Sequence, residues 1–278
     1  MSAVLSVENL VVEYPTPSGV YRAVDDVSFT IERGSTLAVV GESGCGKSTI
    51  ARSLVRLIRP TSGSIVLDGV DISALPENRL RPLRSKIQMV FQDPYGSLDP
   101  HMTAQRIVAE PLKLRGVRPA ERNAEAARLI DLVGLPTTAL ERRPAEFSGG
   151  QRQRIGIARA LASRPDVLVC DEATSALDVS VQAQVLKLLA DLQQATGVTY
   201  LFISHNLGVV REISQNVLVM RHGQVVEYGP TGTVLARPTE PYTRALRAAA
   251  LDPSAIQGRK PRHVLAVTVP APELERQA

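Results

Sequence analysis

A glycine-rich loop at residues 41–49, Gly-Glu-Ser-Gly-Cys-Gly-Lys-Ser-Thr, constrains the fold of this chain more than any other feature. It matches the pattern G-x-x-x-x-G-K-S/T, follows the apolar run Thr36 to Val40 and opens a helix-compatible stretch, Lys47 to Ile58. Glycines let such a loop curl so that successive N–H groups face one anion, and the helix dipole adds to the attraction. The motif therefore predicts a strand, a phosphate-binding loop and a helix, with Lys47 as a point charge and Ser48 as a Mg²⁺ ligand.

Apolar patterns along the rest of the chain predict further strands and helices. Before the loop, Val27, Phe29 and Ile31 alternate with polar residues, which indicates a two-faced antiparallel layer. Helical patterns then cover residues 103–115, 119–133 and 151–163. Strand patterns follow at 167–170, 199–204 and 217–220, separated by helical patterns at 181–194 and 206–213. Alternating strands and helices imply a parallel sheet.

These patterns also predict how the chain is divided. We expect one folded unit over residues 3–250, with a helical segment inserted at about 93–164. An apolar fraction of 44% in 278 residues is enough for a sizeable core. Prolines and glycines interrupt any pattern after that, so residues 251–278 are expected to form a loosely ordered tail.

Composition argues against several classes of protein. No apolar run reaches the roughly 18 to 20 residues that cross a bilayer, and the N-terminus lacks a secretory pattern, so we expect a cytoplasmic chain. The net charge of +4 comes from arginines interleaved with acids, which favours solvated helix faces over a nucleic-acid surface. The cysteines, Cys45 and Cys170, are too few for a disulfide framework or a cysteine-rich metal cluster.

The apolar pattern from Val167 to Cys170 runs directly into two acids, Asp171 and Glu172. Carboxylates at the end of a buried strand are costly unless a cation or a reacting water meets them. The pattern predicts that Asp171 holds Mg²⁺ through its hydration shell and that Glu172 accepts a proton from an attacking water. Such a strand end is common, so this pattern alone leaves a purely structural role open.

A second glycine-rich turn, Phe147-Ser148-Gly149-Gly150-Gln151, lies just ahead of a predicted helix. One ATP has one γ-phosphate, so two helix starts that attract anions favour two different nucleotides. The Ser-Gly-Gly-Gln string is the signature of the ATP-binding-cassette (ABC) family, which the sequence resembles over roughly residues 3–250. The resemblance implies an α/β fold: a P-loop NTPase (RecA-like) parallel-sheet core with an N-terminal antiparallel β subdomain and an inserted α-helical subdomain.

The resemblance also assigns roles to residues outside these motifs. It implies that Gln92 reports on Mg²⁺ and the lytic water, that His205 bonds the γ-phosphate and that the loop from Ser175 to Asp178 touches an opposite cassette. The family stacks an aromatic ring on adenine, and Tyr14 is favoured for this over its rival Tyr21.

The implied site is thus an ATP and Mg²⁺ site shared by two cassettes. Its catalytic residues are Lys47, Gln92, Glu172 and His205, and its metal ligands are Ser48, Gln92 and Asp171. The residues expected to bind the nucleotide are Tyr14, Gly41, Glu42, Ser43, Gly44, Cys45, Gly46, Lys47, Ser48, Thr49, Gln92, Ser148, Gly149, Gly150, Gln151, Asp178 and His205. Each ATP would be held by the phosphate loop of one cassette and the signature of the other, so a monomer should hydrolyse ATP poorly.

Two segments resemble the oligopeptide and dipeptide (peptide/nickel) importers of this family. They are residues 91–100, Phe-Gln-Asp-Pro-Tyr-Gly-Ser-Leu-Asp-Pro, and residues 237–246, Arg-Pro-Thr-Glu-Pro-Tyr-Thr-Arg-Ala-Leu. A proline-led helix start would also explain the second segment. Some of these importers hold an iron–sulfur cluster on C-terminal cysteines; none follows Cys170 here, so we expect no iron–sulfur cluster.

The same resemblance implies the partners of the chain. They are a second cassette, identical or not, two transmembrane permease subunits and, indirectly, an extracytoplasmic solute-binding protein. The expected location is peripheral, on the cytoplasmic face of the inner membrane. The segment from Tyr95 to Met102 is expected to form part of a cleft for a short permease helix, near the arginines from Arg79 to Arg84.

Two other classes of protein fit the motifs less well. A soluble ABC ATPase acting on nucleic acid or the ribosome would usually carry two cassettes in one chain or a long coiled coil before the signature, and neither pattern is present. A phosphate-loop kinase or GTPase does not explain why three features occur together: the signature, His205, and the loop that ends at Asp178. The transported molecule is not encoded in these motifs, because selectivity would lie in the membrane subunits and the binding protein.

Overall fold

A computed structural model describes residues 3–251 of the chain, apart from residues 18, 94 and 176. The predicted tail therefore falls almost wholly on residues 252–278, outside the described residues. The strands are β1 (Ala3–Thr16), β2 (Gly19–Glu32), β3 (Thr36–Gly41), β4 (Ser62–Leu67), β5 (Val70–Asp71), β6 (Ile87–Val90), β7 (Val167–Asp171), β8 (Thr199–Ile203), β9 (Asn216–Arg221) and β10 (Gln224–Pro230). The helices are α1 (Lys47–Leu54), α2 (Glu77–Leu80), α3 (Ala104–Leu114), α4 (Pro119–Leu132), α5 (Gly149–Leu161), α6 (Val179–Thr196), α7 (Leu207–Ile213), α8 (Thr231–Ala236) and α9 (Pro241–Leu251).

The predicted antiparallel layer is a sheet with the strand order β2-β1-β4-β5. Strands β1 and β2 pair along their whole length, with Tyr14 opposite Tyr21 near one end. Both Val7 and Leu10 are buried although they are three residues apart, because the register of this strand pair shifts between them and interrupts the period-two alternation. Strands β4 and β5 were not predicted, because serine and glycine break the apolar pattern of β4 and because β5 has only two residues.

The parallel core has the strand order β10-β9-β3-β8-β7-β6. Strands β9, β3, β8, β7 and β6 run parallel to their neighbours, and β10 is antiparallel to β9. All residues of β3, β7 and β8 are buried, which explains their unbroken apolar runs. Because the carboxyl ends of parallel strands share one edge, the loops that follow β3, β6, β7 and β8 meet there.

The segment between β6 and β7 is helical, as predicted. Helices α3, α4 and α5 bury a common apolar cluster that includes Ile107, Leu129 and Ile155, each at most 2% exposed. The division of the chain at about 93–164 into a separate subdomain remains a prediction. Within residues 3–251, no helix has both the length and the apolar character needed to span a bilayer.

Several helix boundaries differ from the predicted ones for local reasons. Helix α1 ends at Leu54 rather than Ile58, and Arg56 beyond it takes a left-handed conformation with φ of 56°. Helix α5 begins at Gly149 instead of Gln151, because the Ser148 side chain caps it. Helix α6 likewise begins at Val179, two residues before the predicted start, because the Asp178 side chain caps it.

Candidate nucleotide-binding site

The phosphate loop lies where the two sheets meet. Gly46 has φ of 106°, and a Cβ there would overlap the carbonyl oxygen of Ala23 on β2. Gly41 has φ of 150°, and its Cβ would overlap the carbonyl oxygen of Met220 on β9. Only glycine tolerates both the conformation and the close approach at these positions. The loop is therefore held between the antiparallel layer and the parallel core.

The Lys47 side chain is folded into this loop. It is only 6% exposed, and its Nζ donates to the carbonyl oxygens of Gly41 at 2.9 Å and Glu42 at 2.6 Å. The Cys45 Sγ lies 3.7 Å from the same ammonium. At the tip of the loop Ser43 and Gly44 are exposed, whereas Glu42, Ser48 and Thr49 are half-buried. The loop thus concentrates positive charge at an accessible glycine turn, as a phosphate site requires.

A hydroxyl and a carboxylate meet beside the loop. Ser48 Oγ donates to Asp171 Oδ1 at 3.0 Å, and Asp171, the last residue of β7, is 4% exposed. Burial raises the pKa of Asp171, while the hydrogen bond from Ser48 works against that rise. Oxygen ligands of this kind, gathered around a poorly hydrated carboxylate, fit a magnesium ion. Gln92, the third predicted metal ligand, instead donates a hydrogen bond to the neighbouring Glu172.

Three loops of the parallel sheet converge on Glu172. Gln92 Nε2, beyond β6, donates to Glu172 Oε2 at 3.0 Å, and His205 Nδ1, beyond β8, lies 3.5 Å from the same oxygen. Glu172 itself adopts φ of 48°, a conformation that turns the chain sharply after β7. The hydrogen bond with His205 lowers the pKa of Glu172 and raises the pKa of His205. At neutral pH the carboxylate is ionised and can accept a proton.

The signature turn is built around its own helix start. Ser148 Oγ accepts from Gln151 N at 3.3 Å, and Gln151 Oε1 accepts from Ser148 N at 3.0 Å, so the two residues form a capping box. A Cβ on Gly150 would overlap Val181 in the first turn of α6, and one on Gly149 would lie 3.7 Å from Leu177. The turn therefore packs against the start of α6.

That start of α6 is capped by Asp178, whose Oδ1 accepts from Val181 N at 3.0 Å. The hydrogen bonds from the backbone of Val181 and from the Ser180 side chain lower the pKa of Asp178. Ser148 is exposed, and among the described residues no hydrogen bond or ion pair joins residues 148–151 to residues 41–49.

The two tyrosines weighed for adenine stacking lie opposite each other on β1 and β2. Tyr14 is half-buried and packs against the apolar cluster beneath the antiparallel layer. Tyr21 is 52% exposed, and its hydroxyl lies 3.4 Å from the carbonyl oxygen of Gly44. The observed contact with the phosphate loop is therefore made by the rival ring, and the preference for Tyr14 stays a prediction.

One residue that touches the loop was missed. The hydroxyl of Tyr242, on α9, accepts a hydrogen bond from Glu42 N at 3.2 Å. The sequence of the segment 237–246 carries only a family resemblance, and no local pattern connects it to a loop so distant in the sequence.

Together, the phosphate loop, the acid pair, and a glutamine and a histidine at one sheet edge define a nucleotide-hydrolysing cassette of the phosphate-loop class. The presence of a separate Ser-Gly-Gly-Gln helix start narrows this class further. The chain belongs to the ABC transporter family, whose sequence profile matches residues 24–175.

Relatives and solved structures agree with this assignment. The chain is 52% identical over 265 residues to a protein of Sinorhizobium fredii named as a probable peptide ABC transporter ATP-binding protein, covering 92% of this chain and 75% of the relative. It is 48% identical over 269 residues to a protein of Brucella ovis named as a peptide import ATP-binding protein. That match covers 96% of this chain and 84% of the relative.

Among solved structures, the dimeric ATP-binding cassette MJ0796 bound to ADP and Pi superposes with a TM-score of 0.75 at 28% identity, over 82% of this chain and 98% of that one. The protein cbiO1 of Clostridium perfringens, part of the ABC transporter complex cbiONQ, superposes with a TM-score of 0.76 at 26% identity. The match covers 96% of this chain and 100% of cbiO1. The predicted family, fold class and transport-coupled ATPase activity are confirmed.

Proposed function

We propose that this chain powers the import of oligopeptides or dipeptides by ATP-driven pairing of two cassettes. The observation that carries the proposal is the convergence of Gln92 and His205 on the ionised Glu172, while Ser148 of the signature turn is exposed. Relatives named for peptide import support the substrate class, as do the segments 91–100 and 237–246.

The catalytic roles follow from the contacts. Lys47, already held beside two loop carbonyls, is placed to trade them for phosphate oxygens. Glu172 accepts the proton of the attacking water, and Gln92 and His205 orient that carboxylate and sense the γ-phosphate. Ser48 and Asp171 would hold Mg²⁺, which when bound neutralises charge on the phosphates.

The mechanical step depends on a second cassette. ATP bound to the phosphate loop of one subunit would meet Ser148, Gly149 and Gly150 of the other, and the loop that ends at Asp178 would lie at the same boundary. Since a ligand shifts an equilibrium only by its differential affinity, ATP favours the closed pair in which it touches both subunits. A solved relative that is dimeric with ADP and Pi supports this arrangement.

Coupling to the membrane would pass through the segment next to Gln92. A groove of about 300 Å³ lies there, lined by Val55, Leu57, Arg84, Ile87, Gln88, Met89, Phe91, Arg159 and Ala160. Leu57 is 56% exposed and Phe91, the neighbour of Gln92, is 37% exposed. We propose that a short permease helix fills this groove, so that its movement reaches Gln92; the expected cleft at Tyr95 to Met102 would extend it.

This role places the chain peripherally on the membrane, bound to two permease subunits at the cytoplasmic face and linked indirectly to a solute-binding protein. The second cassette is identical or a different chain. No nucleic-acid partner and no iron–sulfur cluster are part of the proposal.

The test is ATP-driven uptake by the assembled transporter. The chain is co-expressed and purified with candidate permease subunits, reconstituted in vesicles with a candidate solute-binding protein, and supplied with labelled dipeptides, oligopeptides or nickel. ATP-dependent peptide uptake that disappears with Lys47→Ala is expected. Uptake of nickel alone would correct the substrate class, and hydrolysis stimulated by ribosomes or nucleic acid instead would favour the soluble alternative.

A further inference from the structure

We propose that Tyr242 is a positioning residue that sets the geometry of the phosphate loop from the C-terminal helix. Its hydroxyl oxygen accepts the backbone N–H of Glu42 at 3.2 Å, across 200 positions of sequence. The side chain is 8% exposed, so this contact is made inside the protein. The inference rests on the proposed nucleotide role of residues 41–49.

The contacted peptide is the one that also holds the lysine. The Glu42 N–H and the Gly41 carbonyl belong to a single planar peptide group, and in a trans peptide they point in opposite directions. Tyr242 holds the N–H, while Lys47 Nζ donates to the Gly41 carbonyl at 2.9 Å and to that of Glu42 at 2.6 Å. A rotation of this peptide would therefore displace the ammonium as well.

The tyrosine ring is itself fixed, so its hydroxyl has a defined direction. It belongs to the same buried apolar cluster as Ala38 and Val40 of β3 and Val219 of β9. The guanidinium carbon of Arg221, the last residue of β9, lies 5.0 Å from the ring centroid. Burial raises the pKa of Tyr242 to about 12, so the hydroxyl stays protonated at any pH at which ATP hydrolysis is measured.

The start of α9 is anchored independently of the loop. Glu227 on β10 accepts from Thr239 N at 2.8 Å, from Thr239 Oγ1 at 2.9 Å and from Glu240 N at 3.3 Å. Farther along the helix, Arg247 donates to the Ala236 carbonyl at 2.8 Å. The hydroxyl of Tyr242 is thus a rigid acceptor supplied to the loop by an element that is not part of it.

Packing of the ring alone would not need the hydroxyl, which makes Tyr242→Phe the informative variant. It keeps the ring and removes the only side-chain acceptor seen for Glu42 N–H among residues 3–251. We expect the Kd for MgATP, and the KM of the assembled transporter, to rise about three- to tenfold, the range of one lost net hydrogen bond. The kcat should change by less than about twofold, because the phosphates are held in both ground and transition states.

The matched control is Tyr228→Phe. The Tyr228 hydroxyl also bonds to the backbone, here as the donor to the Thr30 carbonyl at 3.4 Å, but Tyr228 lies on β10 and is 46% exposed. Its loss should leave the Kd for MgATP unchanged. Amide hydrogen exchange gives a second measurement: exchange at Glu42 should accelerate in Tyr242→Phe, while exchange within β3 stays as in the wild type.

The possible outcomes distinguish the positioning role of Tyr242 from the proposed function of the phosphate loop. An unchanged Kd and unchanged Glu42 exchange in Tyr242→Phe would overturn the positioning role, and so would a lowered Tm with an unchanged Kd, since packing alone would then explain the residue. A wild-type chain that binds no MgATP would overturn the proposed function and this inference with it. Wild-type binding together with an unaffected Tyr242→Phe would overturn this inference only.

Discussion

Replacing Glu172 with glutamine tests the chemistry at the convergence of the three loops. Its Oε2 lies 3.0 Å from Gln92 Nε2, and the introduced amide keeps a carbonyl oxygen that can accept the same hydrogen bond. The hydrogen bond with His205 lowers the pKa of Glu172, so the wild-type carboxylate is ionised at neutral pH and can take a proton, whereas an amide cannot. The local structure should survive and the base should be lost.

The expected loss follows from the usual value of a general base. Positioned proton acceptors contribute about 10²- to 10⁴-fold in rate, which is about 2.7 to 5.4 kcal/mol of transition-state stabilisation. The kcat for ATP hydrolysis should fall by that factor, and binding of MgATP should persist because Lys47 and its loop are untouched. Steady-state phosphate release by the assembled transporter and calorimetric titration with MgATP measure the two quantities.

A suitable control is Glu121→Gln on α4. That glutamate is 54% exposed and pairs with Arg118 at 2.6 Å, away from the phosphate loop, so its loss should leave hydrolysis unchanged. Near-normal turnover in Glu172→Gln would remove this residue from its proposed role. Loss of MgATP binding in the same variant would show instead that the substitution disrupts the site.

Other perturbations address the remaining parts of the site. Ser148→Arg should leave MgATP binding to its own phosphate loop intact yet prevent ATP-dependent dimerisation, measured by light scattering, because the exposed turn would face the nucleotide of the partner. The imidazole of His205 should titrate above its ordinary 6.5 by NMR, since Glu172 stabilises its charged form, and should shift downward in Glu172→Gln. Its contribution to folding is therefore present at acidic pH and is lost as the pH rises through the raised pKa. Tyr14→Ala should weaken MgATP binding about two- to tenfold, the value of one aromatic stacking contact, and Tyr21→Ala should weaken it less.

Each of these has an outcome that contradicts it. Dimerisation of Ser148→Arg with ATP would refute the shared site, and a His205 titration that ignores Glu172→Gln would refute the pairing of the two side chains. A larger loss in Tyr21→Ala than in Tyr14→Ala would transfer the adenine contact to the ring whose hydroxyl contacts Gly44.

Local patterns predicted the elements that carry strong local signals. The glycine loop between β3 and α1, the acids that end β7 and the helices between β6 and β7 all depend on residues close together in the chain. The patterns failed where the signal is short or broken. Strand β6 has only four residues, β4 carries serine and glycine, and α1 stops early at a left-handed Arg56 that no periodicity reveals.

The sequence by itself determined that this chain folds a strand, a phosphate loop and a helix, because glycines at Gly41 and Gly46 and a lysine at the helix start act within a few residues of one another. It also determined the second glycine-rich helix start. Only the tertiary structure decided that Gln92 and His205 meet on one oxygen of Glu172, and that Tyr242 reaches the loop. The first contact depends on the spatial order of strands β8, β7 and β6, and the second on the packing of α9 against β3, β9 and β10. Long-range packing selects both arrangements, and no local pattern encodes them.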